Sequence, residues 1–301
     1  MVPTAIATLS DAGLLVDNKW ENSSSPTPFV SPVVQSFMQQ QGRIVEEIRK
    51  QVQLSCCEYV LAHACRFDDP TFPKNSKALA AEDTNIQSIL FGSPPSQLTF
   101  PSDITMEALI AFSWHRCDTK PNLKITNHAV TAAKASGVER HIASAVWCLG
   151  SPSCELGDHR TSYGHLQEAY RFLNFNTLPP GDVKLQRLGG QCRIDLVDTA
   201  RLVLQDGDEI VSLARDIEMK CAALLDNIIH GRSLVLLGAV LQQAQQPQEA
   251  LRYLDQARTM LKAAGNTYNL AGAYLITFRV HYDKGRLLEA LDAIEEARKH
   301  A

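Results

Sequence analysis

The chain has 301 residues, enough for about two domains. Hydrophobic residues make up 45% and charged residues 21%, and glycine and proline are too few for a collagenous or broadly disordered chain. A formal charge of −4 supplies no global field for a polyanion, so nucleic-acid binding is not expected. No apolar run reaches the roughly 18 residues of a membrane span. The opening MVPTAIATLSDAG lacks a basic segment followed by a long apolar core. A cytoplasmic protein with no membrane partner is the expectation.

Gly13-Leu14-Leu15-Val16 reads as a strand, Asp17 to Pro28 as a polar connection, and Phe29-Val30 as the returning strand of a hairpin. Ser31-Pro32 then stands where a helix begins, with Val33, Val34, Phe37 and Met38 on one face. Strand, wing, strand and helix is the order at the end of a winged helix, so residues 1–42 are expected to be a remnant of one. Val33 to Gln41 carries no Lys or Arg, which argues against DNA reading. A long helix is expected roughly from Arg43 to Phe67, a second from about Ser76 to Leu90, and a linker from Phe91 to Asp103. Residues 43–106 are thus a helical arm and linker.

Residues 107–301 read as repeats. Shifted by 40 residues, QQPQEALRYLDQAR at Gln245 falls on GRLLEALDAIEEAR at Gly285. Ala250, Leu254 and Ala257 meet Ala290, Ile294 and Ala297. Shifted back another 40, Glu209-Ile210-Val211 meets Glu249-Ala250-Leu251. Each copy alternates helical apolar spacings with turn signals, so each is a pair of helices. Small residues such as Gly238, Ala250 and Ala257 allow a neighbouring backbone to approach closely. An earlier copy has Leu149-Gly150, then Gly157-Asp158 seven residues on, then Leu166 and Ala169-Tyr170. Leu237-Gly238 repeats the Leu-Gly step. This pattern resembles the tetratricopeptide repeat. The resemblance implies an all-α solenoid of about five helix pairs, near 107–137, 139–175, 188–226, 229–265 and 268–301. Asn174 to Leu188, with Pro179-Pro180-Gly181, is read as a loop between repeats. No polar capping helix follows the last pair, which suggests that the array is truncated.

The eight cysteines lack the paired short spacings of a zinc site, and are expected to be reduced core thiols. No metal and no cofactor are expected. Glu46-Glu47 and Asp68-Asp69 are adjacent acids; on a helix such neighbours diverge by about 100°, so they do not face one another across a substrate. No G-x-S-x-G nucleophile turn is present, and catalysis is not expected. A groove along the first helices would be the place to hold a peptide, with Arg193, Asp195, Tyr274 and Arg279 as candidate contacts.

The whole chain resembles the C-terminal half of a fungal STAND-type NTPase, the NLR-like signalling ATPases with tetratricopeptide repeats. The resemblance is carried by Leu14-Leu15-Val16, Pro28 to Pro32, Met38-Gln39-Gln40, Ala80 to Leu90, Leu178 to Asp182 and Gln246 to Ala250. The last two stretches are similar to the repeat region of basidiomycete members. It implies a sensor or autoinhibitory array acting on an upstream nucleotide switch. The chain departs from the family in having no G-x-x-x-x-G-K-[ST] loop, so ATP hydrolysis does not carry over. The expected partner is a protein or peptide, such as the NTPase domain of a parent chain. A stand-alone scaffold that binds an external peptide is the alternative, and a hydrolase a remote one.

Overall fold

The computed structural model describes residues 15–18, 27–30, 46–67, 69, 71–91, 103–174, 182–204 and 206–300. The chain divides into two compact units, Met1–Ser55 and Cys56–Ala301. In the first, β1 (Leu15–Asn18) and β2 (Thr27–Val30) form an antiparallel hairpin with Leu15 opposite Val30. The helix expected after Ser31 lies outside the described residues, and a two-stranded hairpin alone does not establish a winged helix.

Twelve helices follow among the described residues. The first two are α1 (Glu46–His63) and α2 (Phe72–Phe91). Then come five pairs. They are α3 (Asp103–Thr119) with α4 (Leu123–Ser136), α5 (Glu139–Glu155) with α6 (His159–Phe172), and α7 (Val183–Val203) with α8 (Gly207–Ala222). The last two are α9 (Asn227–Gln243) with α10 (Pro247–Ala263) and α11 (Thr267–Asp283) with α12 (Leu287–His300). Helix α7 starts inside the stretch that the prolines mark as a loop. Asp182 causes the early start, because its carboxylate accepts from the Leu185 amide at 3.0 Å and caps the helix.

A 20-residue beat underlies the 40-residue period. Left-handed backbone recurs at Gly137 and Gly157, and again at Leu225, Gln245, Gly265 and Gly285. Each of these residues reverses the chain between two helices. The residue after it commonly caps the next helix. Asp158 accepts from Thr161, Asp226 from Ile228 and Ile229, and Asn266 from Asn269. Glycine takes a positive φ without strain, whereas Leu225, at φ 53° and 92% exposed, holds a conformation that costs an L-residue about 1–2 kcal/mol. Leu225→Gly is therefore expected to stabilise the chain by about 0.5–1 kcal/mol, after allowing for glycine's freer unfolded state. A thermal melt checks this, and an unchanged or lower midpoint contradicts it.

Within pairs, helices meet through small residues. Gly231 and Gly238 lie seven residues apart, about two turns along one face of α9. A Cβ at Gly238 would stand 2.7 Å from Leu254 Cγ, and one at Gly231 would stand 2.7 Å from Leu261 Cγ. Two leucines of α10 thus seat directly on α9 backbone. Gly150 and Leu166 repeat the arrangement between α5 and α6, where a Cβ would lie 3.1 Å from Leu166 Cγ. Leu149, Ala169, Leu237, Ala250, Leu254, Ala257, Ala290 and Ala297 are all buried, Ile294 is half-buried, and Gly157 is an exposed turn residue. The second helices are amphipathic: α10 buries only Ala250, Leu254, Ala257 and Leu261, at spacings of four, three and four. By contrast α9 is buried almost all round from Ser233 to Leu241, because it is covered on several sides.

Successive first helices also touch: α3 meets α5, α5 meets α7, α7 meets α9, and α9 meets α11. This contact draws the stack together along one edge, which places the first helices on its inner side.

All eight cysteines are free thiols, six of them buried. Burial pushes Cys221 and Cys56 up to about 12, so both remain protonated at neutral pH.

Candidate functional site

A cleft of about 250 Å³ opens on the inner side. Helix α5 contributes Trp147, Ser151 and Cys154, and α7 contributes Gln191, Asp195, Asp198 and Thr199. In both helices the spacing of i, i+4 and i+7 places these residues on one face. Arg232 comes from α9, Tyr268 and Asn269 from the start of α11, and Ser162 and Leu166 from α6. Arg66 and Phe67, from the link between α1 and α2, complete the lining.

These side chains form one connected series. The Arg66 guanidinium lies 4.0 Å from the centre of the Trp114 ring. Trp114 packs edge-on against Trp147, with centroids 4.7 Å apart. The Trp147 indole N–H donates to Asp195 Oδ2 at 2.9 Å, and Arg232 Nη2 donates to Asp195 Oδ1 at 3.1 Å. The series therefore links α3, α5, α7 and α9. Phe67 reaches the fifth pair through an edge contact with Tyr268 at 4.1 Å. Aromatic pairs of this kind contribute about 0.5–1.5 kcal/mol beyond their buried area, and a cation over an aromatic face about as much.

Of the four contacts suggested by sequence, Asp195 lines the cleft. Arg193 does not. It donates to Asp216 at 3.2 Å and lies over the Tyr170 ring, in the seam between α7 and its neighbours. Residues two apart on a helix are separated by about 200°, so Arg193 and Asp195 could not share a face. Tyr274 packs in the seam between the last two pairs, with Arg258 over one ring face and His300 stacked on it. Arg279 is exposed; it stands two 40-residue periods from Thr199 but does not line the cleft.

The cleft offers little to a chemist. Cys154 Sγ lies 3.6 Å from His159 Nδ1, but burial pushes this thiol up, the opposite of what activates a nucleophile. Asp195 is committed to Trp147 and Arg232. Asp198 pairs with Arg201 at 2.6 Å. No group of three or more potential metal ligands occurs among the described residues.

His115 anchors the segment that enters the cleft, with Nδ1 3.3 Å from the Cys65 carbonyl. Burial lowers the pKa of His115, and likewise of His128 and His141. The Cys65 carbonyl and Asp118 partly oppose the shift at His115, as Asp103 and Glu107 do at His141, without reversing it. A depressed folded-state value means that the neutral form is preferred in the fold. The stability this supplies is complete above the unfolded value near 6.5 and is lost as pH falls below it. Each histidine contributes a slope of up to about 1.4 kcal/mol per pH unit. Melting temperature is accordingly expected to fall between pH 7 and 5.5, and His141→Gln to flatten the fall. A flat profile over that window contradicts the expectation.

No family model and no curated sequence matches the chain. Among solved structures, it is similar to aspartyl phosphate phosphatase F from Bacillus subtilis, at 13% identity and a TM-score of 0.52. That match covers 89% of this chain and 68% of the other. It is also similar to a signal-transduction ATPase with numerous domains, carrying a tetratricopeptide repeat sensor, from Pyrococcus horikoshii, at 14% identity and a TM-score of 0.49. There the match covers 98% of this chain but 45% of the other, so the chain spans less than half that protein's length. The first likeness shows the fold alone: from residue 46 on, the described residues form a helical, tetratricopeptide-like repeat array.

Proposed function

We propose that the chain is a non-catalytic protein-interaction module whose inner cleft takes an extended peptide segment. The observation that carries this reading is the series from Trp147 through Asp195 to Arg232, which presents aromatic, acidic and basic groups from consecutive first helices in one trough. An extended peptide meets several repeats at once there, so it gains contacts that a single helix pair could not offer. The raised thiol of Cys154 and the pairing of Asp195 and Asp198 support binding over catalysis.

The finer reading is a sensor or autoinhibitory array of a STAND-type signalling NTPase, acting in the cytoplasm on the nucleotide switch of a parent chain. Its support is the resemblance of the segments named above. Within that reading residues 1–42 belong to a winged-helix module, 43–106 to a connecting arm and 107–301 to the sensor. Within that reading its partner is a protein and not a nucleic acid or a membrane. No described helix is long and apolar enough to cross a bilayer.

Peptide selection on the immobilised chain tests the module reading. Recovered peptides are expected to bind at least about tenfold more weakly to Asp195→Lys, a loss of about 1.4 kcal/mol. Enrichment of no peptide, or of peptides indifferent to that substitution, contradicts it. Sequencing the full-length transcript tests the finer reading: an in-frame G-x-x-x-x-G-K-[ST] loop upstream supports it, and a stop codon directly upstream of Met1 contradicts it and favours a stand-alone scaffold.

A further inference from the structure

Arg66 and Phe67 sit against the first-helix face as a bound dipeptide would. The Asp118 carboxylate, 2% exposed, accepts from Arg66 Nε at 3.0 Å and from the Phe67 backbone N–H at 3.2 Å. One buried acid therefore reads a side chain and a main chain together. The guanidinium face is covered by Trp114 at 4.0 Å, and the following ring meets Tyr268, 201 residues further along the chain. These receptor groups come from α3 and α11, the first helices of the first and last pairs. The segment that enters belongs to no pair. It links α1 to α2; before it Ala64 packs on the core cluster that holds Leu109 and Phe112, and the Cys65 carbonyl lies 3.3 Å from His115 Nδ1.

A carboxylate buried to 2% is costly unless a cation and further donors satisfy it. Asp118 obtains both from a dipeptide in a turn, where the Arg66 carbonyl accepts from the Asp69 amide at 3.0 Å, so a chain with arginine before an aromatic residue can supply the same contacts in that turn. Arg66 remains about one-third exposed and Tyr268 about half exposed, so an approaching chain can reach both. Resting on the peptide-cleft reading, we propose that the dipeptide Arg66–Phe67 is a built-in pseudo-ligand. The partner is then a protein presenting an arginine–aromatic motif in a turn, which displaces Arg66 and Phe67 from Trp114, Asp118 and Tyr268. Binding of that partner and release of the segment are one event.

The test uses the full chain and a fluorescently labelled peptide of residues 61–71 with serine at the position of Cys65. Anisotropy is measured against wild type and against Arg66→Ala/Phe67→Ala. The peptide is expected to bind the double variant at least about tenfold more tightly than wild type, the factor for an end of the cleft that is open in about one wild-type molecule in ten. Adding Asp118→Asn, or replacing the peptide's own arginine and phenylalanine by alanine, is expected to remove that binding. Equal binding to wild type and variant, no binding to a folded variant, or undiminished binding of the alanine peptide overturns the proposal. Should the double variant lose its helicity, Phe67→Ala alone takes its place. Loss of fold there too marks the segment as core and overturns the proposal. If the selected peptides still bind through Asp195 while this peptide does not, only the pseudo-ligand falls. Failure of both removes the cleft.

Discussion

Ala250→Arg is expected to unfold the C-terminal half of the array. Ala250 is fully buried on the apolar stripe of α10, in a cluster with Leu237, Leu241 and Leu254. Arginine there must either overpack the seam, at about 1–3 kcal/mol, or bury an unpaired guanidinium at a much larger cost. The sum exceeds about 4 kcal/mol, in the range reserved for core disruption. A repeat array holds together through pair and nearest-neighbour terms, so α9 to α12 lose structure first and α3 to α6 last. Circular dichroism reads the result as a partial loss of helicity at 25 °C with a broadened melt. Wild-type helicity and melting temperature would show that α10 packs on a different face.

The second large effect is at the glycine–leucine seats. Gly238→Leu places a Cβ where only 2.7 Å separates it from Leu254 Cγ, and Leu254 is itself fully buried. Nothing flexible can yield, so a cost of about 3 kcal/mol is expected. Leu254→Ala alone leaves a cavity and costs about 2–5 kcal/mol. Combined, the new leucine occupies the space that the old one left, so the double variant is expected to be less damaged than the two losses together by about 1–3 kcal/mol. Urea melts of the four proteins measure this coupling. Simple additivity would mean that the two positions do not meet.

Much of the array was legible in the chain because its cause is local and repeated. Ala250 and Ala290 stand one period apart and are both buried, and Gly157-Asp158 announces a turn and a cap in two residues. The 20-residue beat was harder to see, because Leu225 and Gln245 occupy turn positions where glycine would have advertised itself. Gly231 carries the same signal as Gly238, seven residues and about two helical turns away. The cleft was legible only in part. A polar i, i+4, i+7 row at Gln191, Asp195 and Asp198, opposite the apolar stripe, was the available signal. Arg193 lies off that row, about 200° round the helix from Asp195. Arg66 and Phe67 gave no signal at all, since only the closed stack brings Phe67 to Tyr268, 201 residues away.

The most direct test of a peptide cleft is the Trp147 indole N–H, which donates to Asp195 within the trough. Its resonance in a ¹H–¹⁵N spectrum, assigned by Trp147→Phe, is expected to shift progressively as a selected peptide saturates the chain. Saturable binding that leaves this resonance unmoved would place the peptide on another surface and contradict the account.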